Sequence, residues 1–260
     1  MTEGLISLVP RQSLPEVTLC AATSVNVAAT IQALETSLSQ MNFATAKLFT
    51  DKEVKPDHPG IVVIPTVPFT SSRAYSKFIL SKMVDYVETS HCLIVQWDGH
   101  VLDSRFWREE FLDYDYIGAS WPQFTDGHDV GNGGFSLRSR ALMQLCRHAD
   151  FQYHALEDVA IGRLNRLWLE NMGMRFASRQ LADSFSTERA GDIKTSFGYH
   201  GAWLMPEAIG IEKFWNLYQN LDNRRTIRHD FSKIFKKIIS KSGGFKKAIK
   251  LALDQVSYSK

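Results

Sequence analysis

Short apolar runs alternate along the chain with longer stretches whose apolar residues recur at helical spacing, and that alternation predicts an α/β protein with a largely parallel, doubly wound sheet. Val17-Thr18-Leu19-Cys20-Ala21-Ala22 reads as a first strand, and 26–40 as a helix with Val27, Ile31, Leu34 and Leu38 on one face. Ala46-Lys47-Leu48-Phe49-Thr50 and Ile61-Val62-Val63-Ile64-Pro65 read as the next two strands. Ser71-Ser72 is placed to cap a helix over 73–88 that turns Tyr75, Phe78, Ile79, Met83 and Val87 inward. Cys92-Leu93-Ile94-Val95 then stops at Gln96-Trp97-Asp98-Gly99, as a strand buried on both faces does when it ends at a turn. Ligands collect at that carboxyl edge of an open α/β sheet, so Asp98 is either a metal or sugar contact or a turn-capping acid.

Beyond Asp98 the pattern predicts a strand at 116–119 closed by Trp121-Pro122, a polar mobile loop over 123–129, a helix over 139–148 and another over 157–172 capped by Gly173. Arg175-Phe176-Ala177 reads as a last strand, while 185–188 and 197–201 read as loops. Residues 1–15 are a polar lead-in. At the other end, Phe231, Ile234, Phe235, Ile238 and Ile239 form an apolar stripe opposite Lys233, Lys236, Lys237 and Lys241. After Gly243-Gly244 the pattern returns with Phe245, Ile249, Leu253 and Val256 opposite Lys246, Lys247 and Lys250. Such a composition suits an interfacial helix drawn to anionic lipid, or a helix packed on the body.

Charge sharpens that division. The 260 residues carry 30 basic and 28 acidic side chains, but 223–260 holds eleven basic against two acidic, leaving 19 and 26 in the rest, a net of −7. An acidic body with a basic tail is expected, divided as 1–222 and 223–260, with no nucleic acid among its partners. No apolar run approaches the roughly 18 residues that span a bilayer, and no basic-then-apolar leader opens the chain, so a cytoplasmic location is the expectation. Cys20, Cys92 and Cys146 are an odd, widely spaced set in apolar surroundings, expected as reduced core residues.

Three stretches carry candidate chemistry. The turn Thr23-Ser24-Val25-Asn26 has no glycine, which excludes the dinucleotide fingerprint and the Walker loop but leaves hydroxyls and helix amides to face a base or ribose. The glycine run 131–134 removes side chains where a sugar could lie against backbone. Glu157-Asp158 places two acids at a helix start, where the dipole favours the ionised form a general base needs, although capping is the commoner role there. Trp97, Trp121 and Trp203 are sugar-stacking candidates, although the core role is the commoner one for such aromatics. Lys77 and Lys82 could reach a phosphate or form a solvated helix face.

The order of an apolar strand ending in Asp98, then Gly133-Gly134-Phe135-Ser136, then Glu157-Asp158-Val159-Ala160-Ile161-Gly162 resembles GT-A glycosyltransferases, in particular the fringe and beta-galactosyltransferase group. Residues 17–206, with Gln96-Trp97-Asp98-Gly99, the run from Val130 to Arg138 and Phe197-Gly198-Tyr199-His200-Gly201, resemble more closely a bacterial family of uncharacterised glycosyltransferase-like proteins. The resemblance implies a GT-A three-layer α/β/α sandwich with a mostly parallel mixed sheet, plus the C-terminal helical tail. It implies donor contacts from Thr23, Ser24, Asn26, Gln96, Trp97, Asp98 and Gly99, and acceptor contacts from Trp121, Asn132, Gly133, Gly134 and Phe135. It makes Asp158, or else Glu157, the base of an inverting transfer. Asp98 and His200 become ligands of a divalent cation, manganese or magnesium. Gln96 stands where the first acid of the Asp-x-Asp metal motif is expected, so metal dependence is an open expectation.

The implied activity moves a sugar from a nucleotide-sugar donor, a UDP-sugar, to a surface glycan such as O-antigen, capsule or another lipid-linked saccharide, at the inner face of the plasma membrane. A metal-dependent hydrolase built on Asp98, His100, Asp103, His128 and His200 is a rival, although those residues lack tight ligand spacing. A glycan- or nucleotide-sugar-binding protein that keeps the fold without chemistry is another. Outside that rival reading, His58, His128, His148 and His229 are expected as solvated side chains.

Overall fold

The computed structural model describes residues 11–240 and 244–257. Residues 1–10 of the lead-in, Lys241, Gly243 and the side chain of Val256 lie outside the described residues. Strand β1 (Ser13–Ala22), helix α1 (Val27–Gln40), β2 (Asn42–Thr50) and β3 (Ile61–Pro65) follow the expected order. Helix α2 (Ser72–Ser81) starts at Ser71, whose hydroxyl accepts the Ala74 amide, and ends sooner than its apolar spacing predicts; a 3-10 turn, Met83–Tyr86, completes the descent to β4 (His91–Val95). A six-stranded sheet runs β3-β2-β1-β4-β6-β5, with β5 at Tyr116–Ile117 and β6 at Phe135–Ser139. The β1–β2, β2–β3 and β1–β4 pairings are parallel, and β6 runs antiparallel to β4 and β5, so the sheet is mixed and mostly parallel.

Alternating residues explain why residues 19–22 and 92–95 of the two central strands are continuously apolar. Leu19, Ala21, Leu93 and Val95 face the core that holds α1 residues Val27, Leu34 and Leu38. Cys20, Ala22, Cys92 and Ile94 face Ile79, Met83 and Val84 on the other side. Both faces are therefore covered by helical layers, the arrangement that demands continuous apolar strands. The three cysteines are buried and free.

Strand β6 was not expected, because Ser136, Arg138 and Ser139 break its apolar pattern; all are buried with polar partners that a linear reading does not reveal. The segments 185–188 and 197–201 are corrected from loops to short parallel strands, β7 (Ser186–Thr187) and β8 (Gly198–Tyr199). The stretch 175–177 reaches only an isolated bridge, Tyr116 to Phe176. The helix expected over 139–148 is confined to α3, Arg140–Leu145. Its neighbour over 157–172 breaks into α4 (Glu157–Val159), a π-helical turn (Ala160–Leu164) and α5 (Arg166–Asn171), where the Asn165 side chain bonds the Ala160 carbonyl at 2.9 Å.

Helices α6 (Arg179–Phe185), α7 (Met205–Ala208) and α8 (Ile211–Gln219) lead to the C-terminal pair α9 (Phe231–Ile239) and α10 (Gly244–Ser257). The boundary expected after 222 has no counterpart in the packing. Ile227, Ile234, Ile238, Ala248 and Leu251 share one apolar cluster with Phe214, Trp215, Tyr218 and Tyr199. Much of the basic face is turned inward as well: Lys237 pairs with Glu207 at 3.0 Å, Lys247 pairs with Glu212, and Lys233 and Lys237 lie over the Trp203 ring at 4.3 and 4.7 Å. The stripe that faces outward on α10 is Phe245, Ile249 and Leu253. Among the described residues no helix is long and apolar enough to cross a membrane.

Candidate functional site

Strands β1 and β4 are neighbours, but the chain leaves β1 towards β2 on one side and β4 towards β6 on the other. At such a switch point the loops diverge from the carboxyl ends and open a crevice. A cleft of about 760 Å³ lies there, lined by Thr23, Ser24 and Asn26 after β1 and by Gln96, Trp97 and Asp98 after β4. The antiparallel register Val95 to Phe135 brings Asn132, Gly133 and Gly134, just ahead of β6, beside the end of β4. Parallel pairing of Thr187 with Tyr199 sets Glu188 beside His200, and the Gly201 amide donates to the Asp98 carbonyl at 3.0 Å. Trp121, Glu157 and Asp158 complete the opposite wall.

At the β4 end, His200 Nε2 lies 3.5 Å from Asp98 Oδ1 and His200 Nδ1 lies 3.8 Å from Glu188 Oε1. Burial alone would pull the imidazole down, but the two carboxylates outweigh it and hold the ring well above its ordinary value of 6.5. The two carboxylates thus favour the charged form of His200. Gln96 continues the network, accepting from His200 Nε2 at 3.3 Å and donating to the Tyr75 hydroxyl at 3.0 Å. Where an acid would repel Asp98, Gln96 supplies a neutral bridge. Asp98 Oδ1 is buried without a hydrogen-bond partner, a feature that suits a hard cation. His200 has a carboxylate facing each nitrogen, and among the described residues no three acidic, histidine or cysteine side chains are arranged to hold a metal ion.

The opposite wall separates two adjacent acids. Glu157 Oε1 accepts from Arg138 at 2.8 Å, and the two side chains are 5% and 1% exposed. Burial pushes the Glu157 carboxyl up and Arg138 only partly offsets that shift. Asp158 is half-buried on the cleft wall, with Oδ1 accepting the Val159 amide at 2.8 Å. Glu157 is therefore a structural ion-pair partner, and the reading of it as a base is corrected.

The glycine run does not serve the purpose expected of it. A Cβ on Gly131 would strike the Trp121 ring, one on Gly133 the Glu157 carboxylate, and one on Gly134 the His200 ring. The missing side chains make room for protein groups, although Gly133 and Gly134 still line the cleft. Asn132, at φ 56, donates to Glu188 and accepts the Gly134 amide at 3.1 Å, joining the two walls. Phe135 is corrected outright. It is fully buried against Phe185, Phe197 and Gly198 and does not face the cleft. Gly99 is buried too, leaving room for the Tyr199 carbonyl. Asn26 lines the cleft, yet both ends of its amide are engaged, by Asn223 at 3.0 Å and Thr226 at 3.1 Å, while Asp222 accepts the first helix amide at 3.2 Å.

Of the five hydrolase candidates only Asp98 and His200 meet. His100 is buried against Tyr199 and pulled down to about 4 by burial, Asp103 is bound to Arg105, and His128 lies 3.8 Å from Glu170. Trp203 faces the tail lysines. Sequence reasoning missed Tyr75, Glu188, Arg189 and Asp230, and left His229 as merely solvated; all five line the cleft. Residues 60–200, more than half of the chain, match the model of a family described as a protein of unknown function (DUF5672), and the chain belongs to that family. No curated protein matches it.

Proposed function

We propose that this chain is a glycosyltransferase of the GT-A type, transferring a sugar from a UDP-sugar to a hydroxyl of a glycan acceptor with inversion. The observation that carries the reading is the cleft at the switch point, with Asp158, in no ion pair among the described residues, on one wall and His200, set between two carboxylates, with the exposed Arg189 on the other. Thr23 and Ser24 supply hydroxyls for the base or ribose, while His200 and Arg189 face the diphosphate. Asp158 takes the proton of the acceptor hydroxyl. That oxygen attacks the anomeric carbon from the face opposite the diphosphate, and the bond to the diphosphate breaks with its electron pair leaving on oxygen. Manganese or magnesium, held by Asp98, would add positive charge beside the same diphosphate.

The acceptor is a surface glycan, lipid-linked, and the protein works at the inner face of the plasma membrane. Supporting that location, Phe245, Ile249 and Leu253 are 65%, 44% and 60% exposed along one side of α10, flanked by exposed Lys246 and Lys250. Deleting the tail would remove core residues such as Ile227 and Ile234. The sharper test is Phe245→Ser with Ile249→Ser, which is expected to leave the fold intact and abolish sedimentation with phosphatidylglycerol vesicles. Undiminished sedimentation would remove the membrane role of this stripe.

Asp158→Asn tests the chemistry. Transfer from a panel of UDP-sugars is expected to fall by about two to four orders of magnitude, with UDP affinity unchanged. Full transfer by that variant would eliminate Asp158 as the base. Bound UDP-sugar without turnover by the unaltered protein would favour the non-catalytic reading, and acceptor-independent release of sugar would favour the hydrolase.

A further inference from the structure

Helix α2 is a partition. Ser72, Tyr75 and Ser76 line the cleft, whereas Arg73 and Lys77, one turn apart, line a separate concavity of about 680 Å³. Lys82, at the end of α2, and Arg147, Tyr153 and His154 also line this second cavity. The polar side chains around it are cationic or able to donate hydrogen bonds, and among the described residues no carboxylate lines it. Arg147 is held in place by Asp85 at 2.6 Å, and the Tyr153 ring is braced edge-on against Phe151 at 5.7 Å. Arg73, Lys77 and Lys82 have no acidic partner among the described residues.

Exposed lysines ordinarily spread into solvent or pair with acids. Four cations converging on one concavity in an otherwise acidic body create a local field that favours a compact multivalent anion. Arginine forks and lysine point charges are the donors that bind phosphate, and hydroxyl and imidazole donors can fill its remaining oxygens.

We infer that this pocket is a phosphate-binding site, distinct from the cleft, for a ligand larger than phosphate itself. Two connections set the direction of that ligand. Along α2, Ser72 and Ser76 face the cleft beside Arg73 and Lys77 facing the pocket. Along the next wall, Tyr153 and His154 face the pocket while Leu156 and Asp158 face the cleft, and Ser76 donates to the Ala155 carbonyl at 2.9 Å between them. The pocket therefore adjoins the Asp158 wall, opposite Asp98 and His200. Resting on the transferase reading, the ligand is the acceptor, anchored through a phosphate while its hydroxyl reaches Asp158.

The test uses inorganic pyrophosphate and calorimetry with saturating UDP present, so that the diphosphate position beside Arg189 and His200 is already filled. Replacing Arg73, Lys77 and Lys82 together by Gln is expected to weaken pyrophosphate binding by about tenfold or more. Arg189→Gln, which alters the cleft, is expected to leave that binding in place. Absence of pyrophosphate binding by the unaltered protein, binding unchanged in the triple variant, or binding lost only in Arg189→Gln would each overturn the inference. UDP titrated into the same proteins reports separately on the cleft, so a failed donor site and a failed phosphate pocket give different results. All three replaced side chains are exposed, and thermal unfolding confirms that the triple variant remains folded.

Discussion

The two walls of the cleft are built against the same four-residue run, and they use it oppositely. Gly133 makes room for Glu157, which disappears into a sealed ion pair with Arg138. Gly134 makes room for His200, which stays at the cleft surface between Asp98 and Glu188. One wall therefore has its charge neutralised inside the protein, and only the neighbouring Asp158 looks outward. The other keeps a charge that depends on pH and on whatever occupies the cleft. Neighbouring glycines in a motif can thus support a rigid wall and a responsive one.

The rigid wall should break hardest. Glu157→Ala leaves the Arg138 charge buried beside Tyr116 without its partner, at a cost of about 3–5 kcal/mol by urea unfolding. Replacing both members by Met should recover most of that loss, because a buried pair contributes little beyond an apolar substitute of similar volume. Asp158→Asn should shift stability by no more than about 0.5 kcal/mol, since its amide oxygen can still accept from Val159. Equal losses at 157 and 158 would erase the distinction between structural and outward-facing acids.

The same contrast explains what the sequence could and could not reveal. Asp98 was legible because an apolar run ending in an acid needs no distant information, and the central strands followed from their continuous burial. Glu157 was half legible: its place at a helix start was visible, but its partner Arg138 lies in a strand disguised by serines and arginine. Glu188 enters the site through two-residue strands, too short for any periodicity to show. The glycines announced that space was required without saying which side would fill it. For the tail the repeating pattern was legible but not which residues dock on the body: Ala248 and Leu251 are buried while Phe245 and Ile249 are exposed.

The responsive wall should be sensitive to pH, with a smaller effect. His200 has its folded value raised above 6.5, so its stabilisation is complete below 6.5 and is lost as pH rises through the folded value. Urea midpoints measured upward from that pH should decline in the unaltered protein and decline less in His200→Gln; identical slopes would show that the imidazolium does not hold Asp98 and Glu188 together. UDP affinity measured over the same range supplies a second sign. If His200 acts as an imidazolium facing the diphosphate, affinity falls as the ring loses its proton. If instead manganese binds through His200, the metal needs the neutral ring, and affinity in its presence rises with pH. Opposite slopes with and without manganese would mean that this wall exchanges a proton for a cation, which the sealed Glu157–Arg138 wall has no means to do.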